Sequence, residues 1–209
     1  MKKILFVIGI ALFALIPVTA NASPQGKLNQ TINAGALSTD IVDGAGAAVA
    51  LPSFNMAATT IKNTCQTITG TYGDTAQRVT VDNPGGANSG WVLSIAATSG
   101  PTAKWVSGVN NYAFNDATGA GCTNGQLTLN PAASTLNLNG TSTNTAITKG
   151  SSTAFVSGTA DSITLLSAAA GSDDIWSGYL TGIGVSQKIP ASKPAGTYTI
   201  DLTQTVVAS

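Results

Sequence analysis

The chain has 209 residues, nine basic and nine acidic, with no histidine, and only 9% of it is charged. A formal net charge of zero leaves no basic excess to displace counterions from phosphates, which argues against a nucleic-acid binder. All nine acidic residues are Asp, while Thr occurs 29 times and Gly 23 times, so strand and turn formers dominate and helix formers are scarce. The composition predicts an all-β protein. Without His or Glu the commonest general bases and zinc ligands are missing, so the expectation is no enzyme, no catalytic residue, no metal and no cofactor.

Lys2 and Lys3, the apolar run Ile4 to Ile16, and the small-x-small triplet Ala20-Asn21-Ala22 predict a secretory signal peptide at residues 1–22. The apolar run is shorter than the roughly 20 residues that span a bilayer, and it ends at Pro17. Removing it leaves seven basic and nine acidic residues, a formal net charge of −2. No Cys follows the apolar run and Val206-Val207-Ala208-Ser209 carries no sorting motif, so the expected attachment to a cell surface is noncovalent, without a membrane partner after cleavage. Export also suits the two cysteines: Cys65 and Cys122 are expected to pair as a disulfide, which persists in an oxidising compartment.

Residues 23–35 are small and polar and predict a flexible N-terminal segment, and residues 36–209 show no linker or repeat and predict one domain. Strand signals then recur in chain order. Val79 and Val81 alternate with polar neighbours before the turn Asn83-Pro84-Gly85-Gly86, and Trp91, Leu93 and Ile95 share one face of the next strand. Leu127 and Leu129 follow Asn124-Gly125, while Leu136 and Leu138 precede Asn139-Gly140, both dipeptides suited to positive φ. Ile163 with Leu165, then Ile183, Val185 and Ile189, then Tyr198, Ile200 and Leu202 continue the pattern, with one helical turn available at Ser167-Ala168-Ala169-Ala170-Gly171. Many short alternating strands predict a single-domain antiparallel β-sandwich.

The segment running from Val79-Thr80-Val81 through Trp91-Val92-Leu93 to Ile95 resembles the first signature of WxL-domain surface proteins. Leu165 to Gly171, Trp176, Val185 to Pro190 and Ala195 to Thr203 resemble that family's C-terminal half in the same order. Where the family places a second Trp-x-Leu, this chain has Gln204-Thr205-Val206. The resemblance implies a secreted β-sandwich of Gram-positive cells that associates noncovalently with peptidoglycan, often beside partner surface proteins. Its motif positions here are Trp91, Leu93, Tyr198, Leu202 and Gln204, read as core. Alternation puts Gln204 on the face of Tyr198, Ile200, Leu202 and Val206, so its amide is expected near a strand end, bonded to a neighbour or in reach of water.

Trp91 shares its face with Leu93 and Ile95 and reads as core. Trp105 and Trp176 lie in polar, glycine-containing surroundings and, with Tyr179, are the candidate ligand contacts. Asp173-Asp174 and the pair Asp40 and Asp43 lack the alternating spacing of a calcium loop and read as solvated loop charges. The expected function is a bacterial cell-surface binding or adhesion module, its partner cell-wall peptidoglycan or a surface glycan, with other surface proteins or a second copy as further partners. The alternative is a structural subunit of a surface layer or pilus-like filament, assembled by β-strand addition.

Overall fold

The two-residue alternation read above becomes fourteen strands among the described residues. The computed structural model describes residues 27–85 and 89–209, so the expected signal peptide at 1–22 and residues 23–26 lie outside the described residues. The strands are β1 (Ser38–Val42), β2 (Gln66–Tyr72), β3 (Arg78–Asn83), β4 (Trp91–Ala97), β5 (Lys104–Ser107), β6 (Asn110–Ala113) and β7 (Gln126–Asn130). After them come β8 (Thr135–Leu138), β9 (Ile147–Lys149), β10 (Thr153–Ala154), β11 (Ser162–Ala168), β12 (Trp176–Thr181), β13 (Ile183–Ile189) and β14 (Leu202–Ala208). The helical content of the described residues is two single 3-10 turns, Gly100–Thr102 and Pro131–Ala133. Residues 27–33 are coil with exposed side chains, and Ala34–Ser209 form one compact unit.

Every ladder is antiparallel. One runs β1-β3-β12-β8 and another β10-β7-β13-β2. Besides the long run from β1 to β2, three short chain runs pass from one to the other: β2 into β3, β7 into β8, and β12 into β13 across Gly182 alone. The two ladders are therefore halves of one sheet folded across a line. Gly73 (φ 81°) and Gly182 (φ 71°) take the left-handed backbone the fold line needs, and Gly182 N–H donates to the Gly73 carbonyl at 2.8 Å. The opposing sheet is β14-β4-β11-β9, and β5-β6 is a separate hairpin.

The sheets meet through one hydrophobic cluster that includes Val79, Val81, Trp91, Leu93, Ile95, Leu127, Leu129, Leu165, Leu166, Trp176 and Leu180. Trp91 of β4 and Trp176 of β12 join the two layers, with ring centroids 5.1 Å apart. Each fully buried aliphatic or Phe-sized side chain contributes about 1.5–3 kcal/mol of transfer free energy. A β-bulge in β11 between Thr164 and Leu166 lets consecutive Leu165 and Leu166 both turn inward, which strict alternation would forbid. Cys65 and Cys122 form a disulfide that ties the start of β2 to the loop before β7.

Two local expectations are corrected. Ser167 to Gly171 forms no helical turn, because β11 runs on through Ala168, which pairs with Trp91, and Ala169 N–H donates to the Ala146 carbonyl. The ladder overrides alanine's helical preference. Tyr198 and Ile200 do not extend the last strand, which begins at Leu202; the chain before it bends, held by a single bridge from Thr199 to Val106.

Candidate functional site

The three aromatic residues singled out as ligand contacts do not converge. Trp176 is wholly buried: it sits on the inner face of β12 against Trp91, and its indole N–H donates to the Thr143 carbonyl at 2.8 Å. The expectation of an exposed contact at Trp176 is thereby corrected. Its polar neighbours Asp174 and Ser177 lie in the loop and on the outward face, whereas alternation turns the Trp itself inward with Gly178 and Leu180. Tyr179, three residues on, lies on the opposite face of the same strand, half-buried, with the Arg78 guanidinium 4.7 Å from its ring centroid.

Trp105 on β5 is half-buried and belongs to an aromatic row. Its ring stacks on Tyr112 at 6.3 Å, and Tyr112 meets Tyr198 at 5.1 Å. The indole N–H donates to Gln187 Oε1 at 2.9 Å, and Gln187, fully buried on β13, donates through Nε2 to the Lys188 carbonyl. Burial, and secondarily the neighbouring Tyr198, raises the Tyr112 phenol well above its ordinary value. Gln187 went unnoticed in the sequence; its signal was an amide interrupting the apolar face of Ile183, Val185 and Ile189.

Beside the row lies a shallow open trough of about 400 Å³, its lining including Ser99, Thr102, Val106 and Thr199, with Lys104 and Asp201 supplying opposite charges. The bridge from Val106 to Thr199 joins hairpin and loop here, through reciprocal N–H donation at 2.9 and 3.0 Å. A second trough, about 290 Å³, is lined by Thr69, Thr128, Asn130, Ser152 and Ser186 among others, an uncharged floor of hydroxyls and amide. Neither holds a pair of carboxylates converging across a cleft, and no group of three or more metal-ligating side chains forms among the described residues.

Three of the other acidic residues organise loops. Asp116, buried and unremarked in the sequence, accepts from the Thr118 hydroxyl and backbone through Oδ1 and from the Gly121 and Asn124 N–H groups through Oδ2. Those bonds, that from the Thr118 hydroxyl foremost, hold its carboxyl below the usual carboxylate range. Asp43 caps a turn by accepting from Ala45 and Ala47, and Asp173 accepts from Thr143 N–H and Oγ1.

The positions that carry the resemblance fall in two groups. Trp91 and Leu93 are wholly buried, and the Trp91 indole N–H has no acceptor. Tyr198, Leu202 and Gln204 are half-buried, and Gln204 lies near the middle of β14, opposite Ile95, not at a strand end. Its Nε2 donates to Thr39 Oγ1 at 3.0 Å, and that hydroxyl spends its single proton on the Thr80 carbonyl at 2.7 Å. The order of donation fixes the amide's orientation, leaving Oε1 shielded and without a partner.

No protein-family model matches this chain, and no curated protein or solved structure matches it either.

Proposed function

We propose that this chain is an exported, WxL-like bacterial surface protein that holds noncovalently to cell-wall peptidoglycan or a related surface glycan, as a binding or adhesion module without catalysis. The observation that carries this reading is the Trp105–Tyr112–Tyr198 row beside a trough that mixes the hydroxyls of Ser99, Thr102 and Thr199 with apolar side chains, one cation and one anion. Aromatic faces and neutral hydroxyls complement sugar rings, whose faces are apolar and whose edges are hydroxylated. The intrachain disulfide supports an oxidising compartment. Sedimentation of the protein with and without purified peptidoglycan tests it. Pelleting with the wall material alone, weakened by Trp105→Ala, is expected; a protein that stays soluble in both tubes overturns the reading.

A second reading, a structural subunit assembled by strand addition, is favoured by a different observation. β14 is an uncharged seven-residue edge strand, with no proline or lysine to blunt it. Pelleting in both tubes would support this reading over wall binding.

A further inference from the structure

The open edge of β14 has a definite chemical form. Thr98 N–H donates to the Asp201 carbonyl beyond one end of the β14–β4 ladder, and Ser209 N–H to the Gly90 carbonyl at the other. With the register pairing Leu202 to Ala97 and Ala208 to Trp91, the odd-numbered residues turn their backbone groups toward β4. Leu202, Gln204 and Val206 therefore turn theirs outward, and no strand pairs with them among the described residues. Their half-buried side chains form an apolar–amide–apolar stripe, with the unpartnered Gln204 Oε1 at its centre.

The same pattern recurs within β13 at Val185, Gln187 and Ile189, where both strand edges are already paired, and on a segment that leaves its apolar side chains uncovered. In an extended strand Leu28, Gln30 and Ile32 share one face, and Leu28 is 100% and Ile32 87% exposed. We infer that the outer edge of β14 accepts residues 28–32 of a second copy as an added antiparallel strand, with Leu28 beside Val206, Gln30 beside Gln204 and Ile32 beside Leu202. This inference rests on the subunit reading given above. The pairing is consistent in parity: it sets outward-turned backbone groups of both segments against each other, and it puts all six side chains on the buried face. Gln30 Nε2 then supplies the donor that Gln204 Oε1 lacks. On the outer face Asn29 and Thr31 meet Thr205 and Thr203, and neither stretch carries a charge. Donor and acceptor lie at different places on each copy, so the contact is head-to-tail and propagates as a filament unless it closes a ring.

Asn29 and Thr205 form a non-hydrogen-bonded pair in this register, the closest kind of antiparallel neighbours, within disulfide reach. Both are exposed, and among the described residues no cysteine is free, so an introduced thiol stands alone. Mixing single variants Asn29→Cys and Thr205→Cys under mild oxidation is expected to give a reducible heterodimer, at least tenfold more abundant than Asn29→Cys with Thr203→Cys. Sedimentation velocity is expected to show concentration-dependent association of the parent, weakened at least tenfold by Leu28→Asp with Ile32→Asp. Equal cross-linking at both positions, or association undiminished by the aspartates, overturns this donor and register while leaving strand addition standing. A disulfide that closes within the monomer of an Asn29→Cys/Thr205→Cys double variant overturns the second copy as donor. A protein monomeric at every concentration removes the subunit reading itself.

Discussion

The two buried tryptophans offer a controlled comparison. Trp91 and Trp176 are each at 0% exposure and touch each other, yet Trp176 donates its indole N–H to the Thr143 carbonyl at 2.8 Å while the Trp91 N–H has no acceptor. Replacing either by Phe exchanges the bicyclic indole for a smaller single ring and leaves a cavity of a few atoms, costing about 1 kcal/mol at about 24 cal/mol per Å³. Trp176→Phe additionally strands the Thr143 carbonyl, a further loss of about 1–3 kcal/mol. Trp91→Phe instead removes a buried donor that was never satisfied, and the relief of its desolvation offsets the cavity. Trp176→Phe is therefore expected to destabilise the fold by about 2–4 kcal/mol, and Trp91→Phe by about 1 kcal/mol or less. Urea denaturation followed by far-UV circular dichroism reads both, with equal m-values as the check that the unfolded state is unchanged. Equal destabilisation by the two substitutions, or a larger loss at Trp91, would refute the assignment of the hydrogen bond as the difference between them.

Other expectations follow from separate features. Cys65→Ser with Cys122→Ser opens a bridge spanning 57 residues, and the chain-entropy model puts the loss at about 4 kcal/mol; a change under about 1 kcal/mol in the same urea titration would count against it. The pH profile has two limbs and a flat centre. With no His, thermal midpoints are expected to stay level between about pH 5 and 9. The carboxyls of Asp116 and Asp43 are held below their ordinary 3.8, so their contribution is complete above that value and disappears as pH falls through the lower folded values. Burial pushes the Tyr72 phenol up to about 12 from 10.0, so the fold favours its neutral form; that contribution is complete below pH 10 and is lost as pH rises toward 12. A sloping midpoint across the neutral range would contradict this scheme. Finally, Gly182→Ala meets open space and costs only the positive-φ strain, about 1 kcal/mol, whereas a Cβ on Gly150 collides with the Thr164 carbonyl, so Gly150→Ala is expected to be the more damaging in thermal melts.

The functional readings share a surface chemistry that composition already indicated. A chain with few charges leaves hydroxyls, amides and backbone edges as its means of contact, and the structure sorts these into places. Hydroxyls contribute to the lining of both troughs, aromatic faces gather at the hairpin, and uncharged backbone lies open along β14. The glycan and strand-addition readings use different parts of this surface, so the Trp105 and Leu28/Ile32 variants separate them.

Composition and alternation by themselves determined the all-β class, the antiparallel strands around Val79, Trp91, Leu127, Ile163 and Ile183, and the inward turn of Trp91, because a period of two is a local property of the chain. They also determined that Cys65 and Cys122 had no other partner in the chain, a matter of counting. Only the tertiary structure decided where residues distant in sequence meet. The folding of one sheet across Gly73 and Gly182, the row of Trp105, Tyr112 and Tyr198, and the tilted contact of Trp91 with Trp176 all depend on such pairings. It decided against the sequence at Trp176, whose polar neighbours in the chain point away from the apolar layer that covers it. At Gln204 the amide stands near the middle of its strand because Thr39, 165 residues away, receives its N–H. Local pattern assigns a face; which neighbour occupies that face is settled by long-range ladders that no window of sequence contains.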